Sequence, residues 1–151
     1  MLREQTKLIT QAHKVWDICL TAAAFIAAYF IKSYLLPAPL RGLTIAPNYY
    51  IVLLMIIIIW YLTFTLFDLY ASYRKQTLDQ ILWKMIKAVS TGMLVMLLCM
   101  YIFKITDVSR IMMGIFFLLN IVLLTLSKGT AYRILTHYRQ KGFNLGALPV
   151  Y

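Results

Sequence analysis

The sequence predicts an all-α, integral membrane four-helix bundle whose last helix extends into the cytoplasm. Two observations carry this. Four long apolar runs occupy residues 15–36, 50–67, 86–103 and 111–126 of the 151. Within them the ionisable side chains are only Asp17, Lys32 and Lys87, each near an end. A bilayer core about 30 Å thick needs roughly 20 apolar residues at about 1.5 Å each. A water-soluble fold would have to hide 62% hydrophobic residues in a chain too short to enclose them.

The first run, 15–36, is long enough to span and follows Arg3, Lys7 and Lys14. It reads as an uncleaved first helix, not a signal peptide, although Ala22, Ala24 and Ala28 resemble a cleavage site. Three prolines and a glycine, Pro37, Pro39, Gly42 and Pro47, then end it in a short apolar loop. Tyr34, Tyr49 and Tyr50 flank that loop and suit an aromatic belt. The second run, 50–67, leads to a polar loop with Arg74 and Lys75. In it, Trp60 and Tyr61 lie too deep for a belt and are expected to pack inside the bundle.

The third helix starts before its apolar run. Thr77-Leu78-Asp79-Gln80 matches a capping box, and Asp79 suits the positive end of the helix dipole. A continuous helix is expected from there, with Trp83 and Lys84 at headgroup level. The fourth helix follows a tight turn in which Asp107 and Ser109 are competent caps. No breaker except Gly129 appears between Arg110 and Gln140, and Gly142 is a credible stop. About 30 residues of helix reach about 45 Å, longer than the hydrocarbon core.

Orientation follows from the cations. Arg3, Lys7, Lys14, Arg74, Lys75, Lys84, Lys87, Lys128, Arg133, Arg139 and Lys141 share one side, eleven of the fifteen Lys and Arg. The positive-inside rule places both termini in the cytoplasm. The net charge of +10 suits anionic headgroups, not nucleic acid, because the cations are spread along membrane edges. Membrane lipids are the expected partners, with Arg74, Lys75, Lys84, Arg133, Arg139 and Lys141 as headgroup contacts.

The catalytic inventory is thin. There is no Gly-rich phosphate loop, no paired His/Glu metal signature and no nucleophile beside a base. No catalytic or metal-binding residue is assigned, and no cofactor is expected in these residues. Cys19 and Cys99 differ in depth by about 14 Å, too far for a disulfide. Asp17 is expected to make an interhelical polar contact and can also pair with Lys14 one turn earlier, so that Asp17→Asn changes little. Lys32 is expected to snorkel outward. Asn120 is expected to make an interhelical hydrogen bond, with Ser90 and Thr91 as candidate partners. Gly92 and Gly114 are expected to let helices approach closely.

Several segments resemble the N-terminal membrane domain of bacterial polyprenyl-phosphate sugar-1-phosphate transferases. The second run exits through Phe67-Asp68-Leu69-Tyr70-Ala71-Ser72-Tyr73-Arg74, similar to that family's aromatic–Leu-Tyr…Arg exit. The fourth helix opens on Ser109-Arg110, and the basic helix ends at Gly142-Phe143-Asn144-Leu145, similar to the family's Gly-x-Asn. Membrane-bound nucleotide-sugar dehydratases share a similar domain, and the last two elements favour the transferases.

The resemblance implies a membrane domain over residues 1–145 that anchors, and can dimerise, an enzyme of exopolysaccharide, capsule or O-antigen synthesis in the bacterial inner membrane. It implies undecaprenyl phosphate, a polyprenyl phosphate, as the lipid partner. It also implies a Rossmann-like segment and a magnesium-dependent catalytic domain beyond Gly-x-Asn. Residues 146–151 read as a truncated tail, so these 151 residues alone are not expected to catalyse the transfer. The alternatives are a small four-helix transporter, which needs a deep carboxylate, and a non-catalytic membrane adaptor.

Overall fold

The computed structural model describes residues 2–39, 43, 48–69 and 77–140. They form four α-helices: α1 (Leu2–Phe30), α2 (Tyr49–Leu66), α3 (Leu78–Ile102) and α4 (Arg110–Gln140). All four are long and apolar enough to cross a membrane. They close a ring in which α1 packs on α2 and α4, and α3 packs on α2 and α4. Four crossings return the chain to its starting side, called the terminal side below.

The surface of the bundle is as apolar as its core. On α2, Val52, Ile56, Ile59, Trp60 and Phe64 are buried, while Ile51, Leu54, Ile58, Leu62 and Leu66 face outward. A helix apolar on every side belongs in lipid. Lipid tails are as apolar as leucine, so cohesion comes from close packing and interhelical polar contacts.

The core supplies that packing through interlocked rings. Phe116 of α4 meets Trp60 edge-on at 5.3 Å and Phe25 of α1 at 5.7 Å. Such pairs contribute about 0.5–1.5 kcal/mol each beyond area burial. Trp60 is fully buried, as its depth predicts. Tyr61 is not; it is nearly half exposed and turns away from the core. At about 100° per residue, the buried arc of Ile56, Ile59, Trp60, Thr63 and Phe64 is centred on the other side of Trp60 from Tyr61, which leaves Tyr61 facing outward.

Gly92 lets α3 approach α2. A Cβ there would stand 3.4 Å from Thr63 Oγ1 and from the Trp60 indole. Gly114 does not do the same, because a Cβ there would meet nothing within 4 Å. It faces outward on α4, between the buried Met112 and Phe116.

The ends of the helices are set by local chemistry. Past Phe30, α1 widens into a π-helical turn, Ile31–Leu35, closed by Leu36 N–H donating to Ile31 O at 3.3 Å. Pro37 then forces Leu36 into an extended conformation (ψ 151°). Lys32 lies within this turn and is buried, where an outward reach was expected. Of the expected aromatic belt, Tyr34 and Tyr50 are well exposed, whereas Tyr49 packs on Tyr29 at 5.3 Å.

Asn48 caps α2, its Oδ1 accepting from Tyr50 N–H at 3.2 Å. Thr77 caps α3, and its amide donates to Gln80 Oε1 at 3.4 Å, the return arm of the capping box. Ser109 Oγ accepts from Met112 N–H at 3.4 Å at the start of α4. From Thr77 the third helix runs without a break to Ile102, as expected.

Helices α2 and α3 end alike. Leu69 N–H donates to Phe64 O and Asp68 N–H to Thr65 O, both at 3.3 Å. Ile105 N–H donates to Met100 O at 2.9 Å and Lys104 N–H to Tyr101 O at 3.2 Å. Each pair is a Schellman closure, which needs a left-handed residue just past the helix. Asp68 (φ 48°) and Lys104 (φ 53°) take that place. Leu69 folds back to bury with Phe64, the apolar contact that accompanies the motif.

Candidate functional site

The fourth helix buries Met112, Phe116, Asn120, Leu124 and Lys128, every fourth residue. The first buries Asp17, Thr21, Ala24, Phe25 and Ala28, at steps of three and four. These are ridges laid against each other in antiparallel order. Ala24 and Ala28 keep α1 low enough for α4 to lie close. At the terminal end of this seam the facing residues are polar.

There, Lys128 Nζ donates to Asp17 Oδ2 at 2.5 Å. The side chains are 2% and 1% exposed. The sequence-based partner for Asp17 was Lys14, and this is corrected. Helix α1 turns Asp17 into the bundle and leaves Lys14 on its flank, where the ammonium stands 5.8 Å from the Tyr61 ring. Lys128, counted from the sequence among the cations of the terminal side, lies inside the bundle at that end. It falls on the buried face because it continues the four-residue ridge of Asn120 and Leu124.

One turn deeper, Thr21 Oγ1 lies 2.9 Å from the Asp17 backbone oxygen and 3.2 Å from Asn120 Oδ1. A hydroxyl has one proton and can donate to only one of them. Asn120 Nδ2 is meanwhile buried without a partner. Turning the amide end for end resolves both problems: Nδ2–H donates to Thr21 Oγ1, and Thr21 donates to the Asp17 carbonyl. Asn120 thus meets α1, not Ser90 or Thr91 of α3, because the 112–128 ridge faces the first helix. Outside the seam, Trp16 Nε1 donates to Ser127 Oγ at 3.2 Å.

This arrangement is a clamp. The two buried charges compensate each other, and replacing either removes the counter-charge of the other. Cys19 and Cys99 are free, and no three His, Cys, Asp or Glu among the described residues stand close enough to share a metal.

Of the expected headgroup contacts, Lys84 is half-buried on α3 and Arg133 is exposed on α4. Arg74 and Lys75 lie outside the described residues, as do Lys141 and the side chain of Arg139. Lys87 covers the exposed Trp83 ring at 5.3 Å. Sequence reasoning missed Lys128 and Thr21. The four-residue spacing from Met112 to Lys128 was the signal that could have found Lys128.

A second feature lies on the outside of the bundle. Between α1 and α2 runs a groove of about 350 Å³, walled by Val15, Ile18, Ile58 and Leu62. Gln11 and Lys14 close one end, and Tyr61 stands in its wall.

A family described as a CoA-binding domain matches residues 65–146, from the last turns of α2 through α3 and α4. No curated protein and no solved structure matches the chain. The described residues of the matched segment do not fit coenzyme A. They are mostly two apolar spans, and their buried polar groups, Asn120 and Lys128, are engaged with α1. The helix starts at Thr77 and Ser109, where phosphates could bind, are capped internally. The domain nevertheless occurs in members of the sugar transferase family, and with more than half its length matched, this chain belongs to the CoA-binding domain family so described.

Proposed function

We propose that this chain is the membrane domain of an undecaprenyl-phosphate sugar-1-phosphate transferase, serving exopolysaccharide, capsule or O-antigen synthesis. The observation that carries the reading is the family match across α3 and α4, in a domain that occurs in sugar transferases. Four spanning helices supply the anchor. The domain sits in the bacterial inner membrane with both termini cytoplasmic, where a nucleotide sugar is available. Its basic rim, including Lys84 and Arg133, lies at the level of lipid phosphates. The magnesium-dependent transfer itself is assigned to catalytic residues outside this chain.

The buried Asp17 is the one observation that favours a proton-coupled transporter. Its ion pair with Lys128 argues against that reading, since a carboxylate held by an ammonium is compensated in its charged form.

A chimera tests the proposal. Residues 1–145 replace the membrane domain of an initiating sugar transferase in a host lacking that enzyme. Restored polysaccharide is expected. A chimera that inserts at normal levels but makes none, while the parent enzyme does, would defeat the reading.

A further inference from the structure

Coenzyme A is a water-soluble polyanion with a diphosphate, a ribose phosphate and an adenine. A site for it needs free amides or cations gathered outside the hydrocarbon core, beside a face on which the purine can stack. The described residues of the matched segment, 65–146, hold such groups far apart or already engaged. Its two helix starts, at Thr77 and Ser109, are separated by the length of α3, Leu78–Ile102, about 36 Å at the helical rise. They lie on opposite sides of the membrane, so one ligand cannot meet both. At Thr77 the Gln80 side chain closes the capping box, and Asp79 puts a carboxylate in the first turn, where a phosphate would lie. On the same side, the Trp83 ring is covered by the Lys87 ammonium. Lys128, a buried cation of the segment, is held by Asp17.

What the segment does gather is contacts to the first two helices. A Cβ on Gly92 would stand 3.4 Å from the Trp60 indole and from Thr63 Oγ1 of α2. Asn120 meets Thr21 of α1, and Lys128 meets Asp17. Phe116 packs edge-on against both Trp60 and Phe25. In each pair one residue lies inside the match and its partner before residue 65. The glycine, amide and ammonium on which a ligand site would draw instead join α3 and α4 to α1 and α2.

We infer that residues 65–146 of this chain are a packing half without a coenzyme A site, and that their partner is the α1–α2 pair of the same chain. The membrane domain of any enzyme, or of none, would use the segment in this way.

The test uses the whole chain in nanodiscs of phosphatidylcholine, dialysed against labelled coenzyme A or labelled ATP. Both are polyanions that carry adenine, so a basic rim alone retains them alike. Equal retention is expected, lost for both in about 1 M salt, where the screening length falls to about 3 Å. Asp17→Leu/Lys128→Met removes the buried pair without stranding a charge and should leave that retention unchanged. Coenzyme A held about tenfold over ATP, and held through the salt, overturns the inference; its loss in the double variant would then place the site at Lys128. A second arm reads the packing across residue 65. Gly92→Leu should lower the unfolding midpoint of the parent, and lower it much less in a Trp60→Leu background, where the space opposite is open. Losses that simply add overturn the pairing of the two halves. Circular dichroism checks folding, and if Trp60→Leu does not fold, Thr63→Ala takes its place.

Discussion

Asp17 and Lys128, 111 positions apart in sequence, form an ion pair at 2.5 Å inside the seam between the first and last helices. Desolvating two charges costs several kcal/mol per ion, and their mutual attraction offsets this only while both are present. The pair therefore sets which face of α1 meets α4 more than it adds net stability.

Single and double substitutions should separate those two effects. Asp17→Asn and Lys128→Met should each destabilise the bundle by about 3–5 kcal/mol, since each strands a buried charge or its polar partner. The double variant Asp17→Leu/Lys128→Met should recover most of that loss. Unfolding in mixed micelles, followed by circular dichroism, measures all three. An Asp17→Asn protein as stable as the parent would restore the expectation drawn from sequence alone.

The two membrane glycines should behave differently. Gly92→Leu should cost about 1–3 kcal/mol by overpacking against Trp60 and Thr63. Gly114→Leu, with open space around its Cβ, should stay within about 0.5 kcal/mol. The same unfolding assay reads both. Equal sensitivity would mean that α4 has a neighbour at Gly114.

Lys104 holds a left-handed conformation that costs a non-glycine residue about 1–2 kcal/mol. Lys104→Gly should therefore stabilise the protein by about 1 kcal/mol, partly offset by the greater freedom of glycine when unfolded. The side chain is exposed, so no packing is lost. A fall in unfolding midpoint would contradict the Schellman closure at this turn.

Reporter fusions should give a cytoplasmic signal at Tyr151 and a periplasmic one within residues 37–48. The basis is the uneven distribution of cations between the two sides. Lys128 is neutralised by Asp17, which trims the terminal side by one without reversing the sign. A periplasmic signal at Tyr151 would defeat the proposed orientation.

The spans were legible because a bilayer imposes length and polarity on each helix separately. The Thr77–Gln80 start was legible because its chemistry is local, four residues long. The closures at Asp68 and Lys104 were not, since neither residue is the glycine or asparagine that usually marks them. Partners across the bundle were least legible. Asp17 had an attractive neighbour in Lys14, and only the rotation of α1 about its axis decides between that residue and Lys128. Asn120 was recognised as interhelical, but its target depended on which helix the four-residue ridge of α4 faces.

The separation of Asp17 from Lys128 also has a meaning in time. Synthesis at about 5–20 residues per second puts on the order of ten seconds between the two emerging from the ribosome. Through that interval the first helix enters the membrane with a carboxylate facing no ammonium. Its docking is completed only when α4 arrives, so a nascent chain halted before residue 128 lacks the counter-charge that holds Asp17 in the seam.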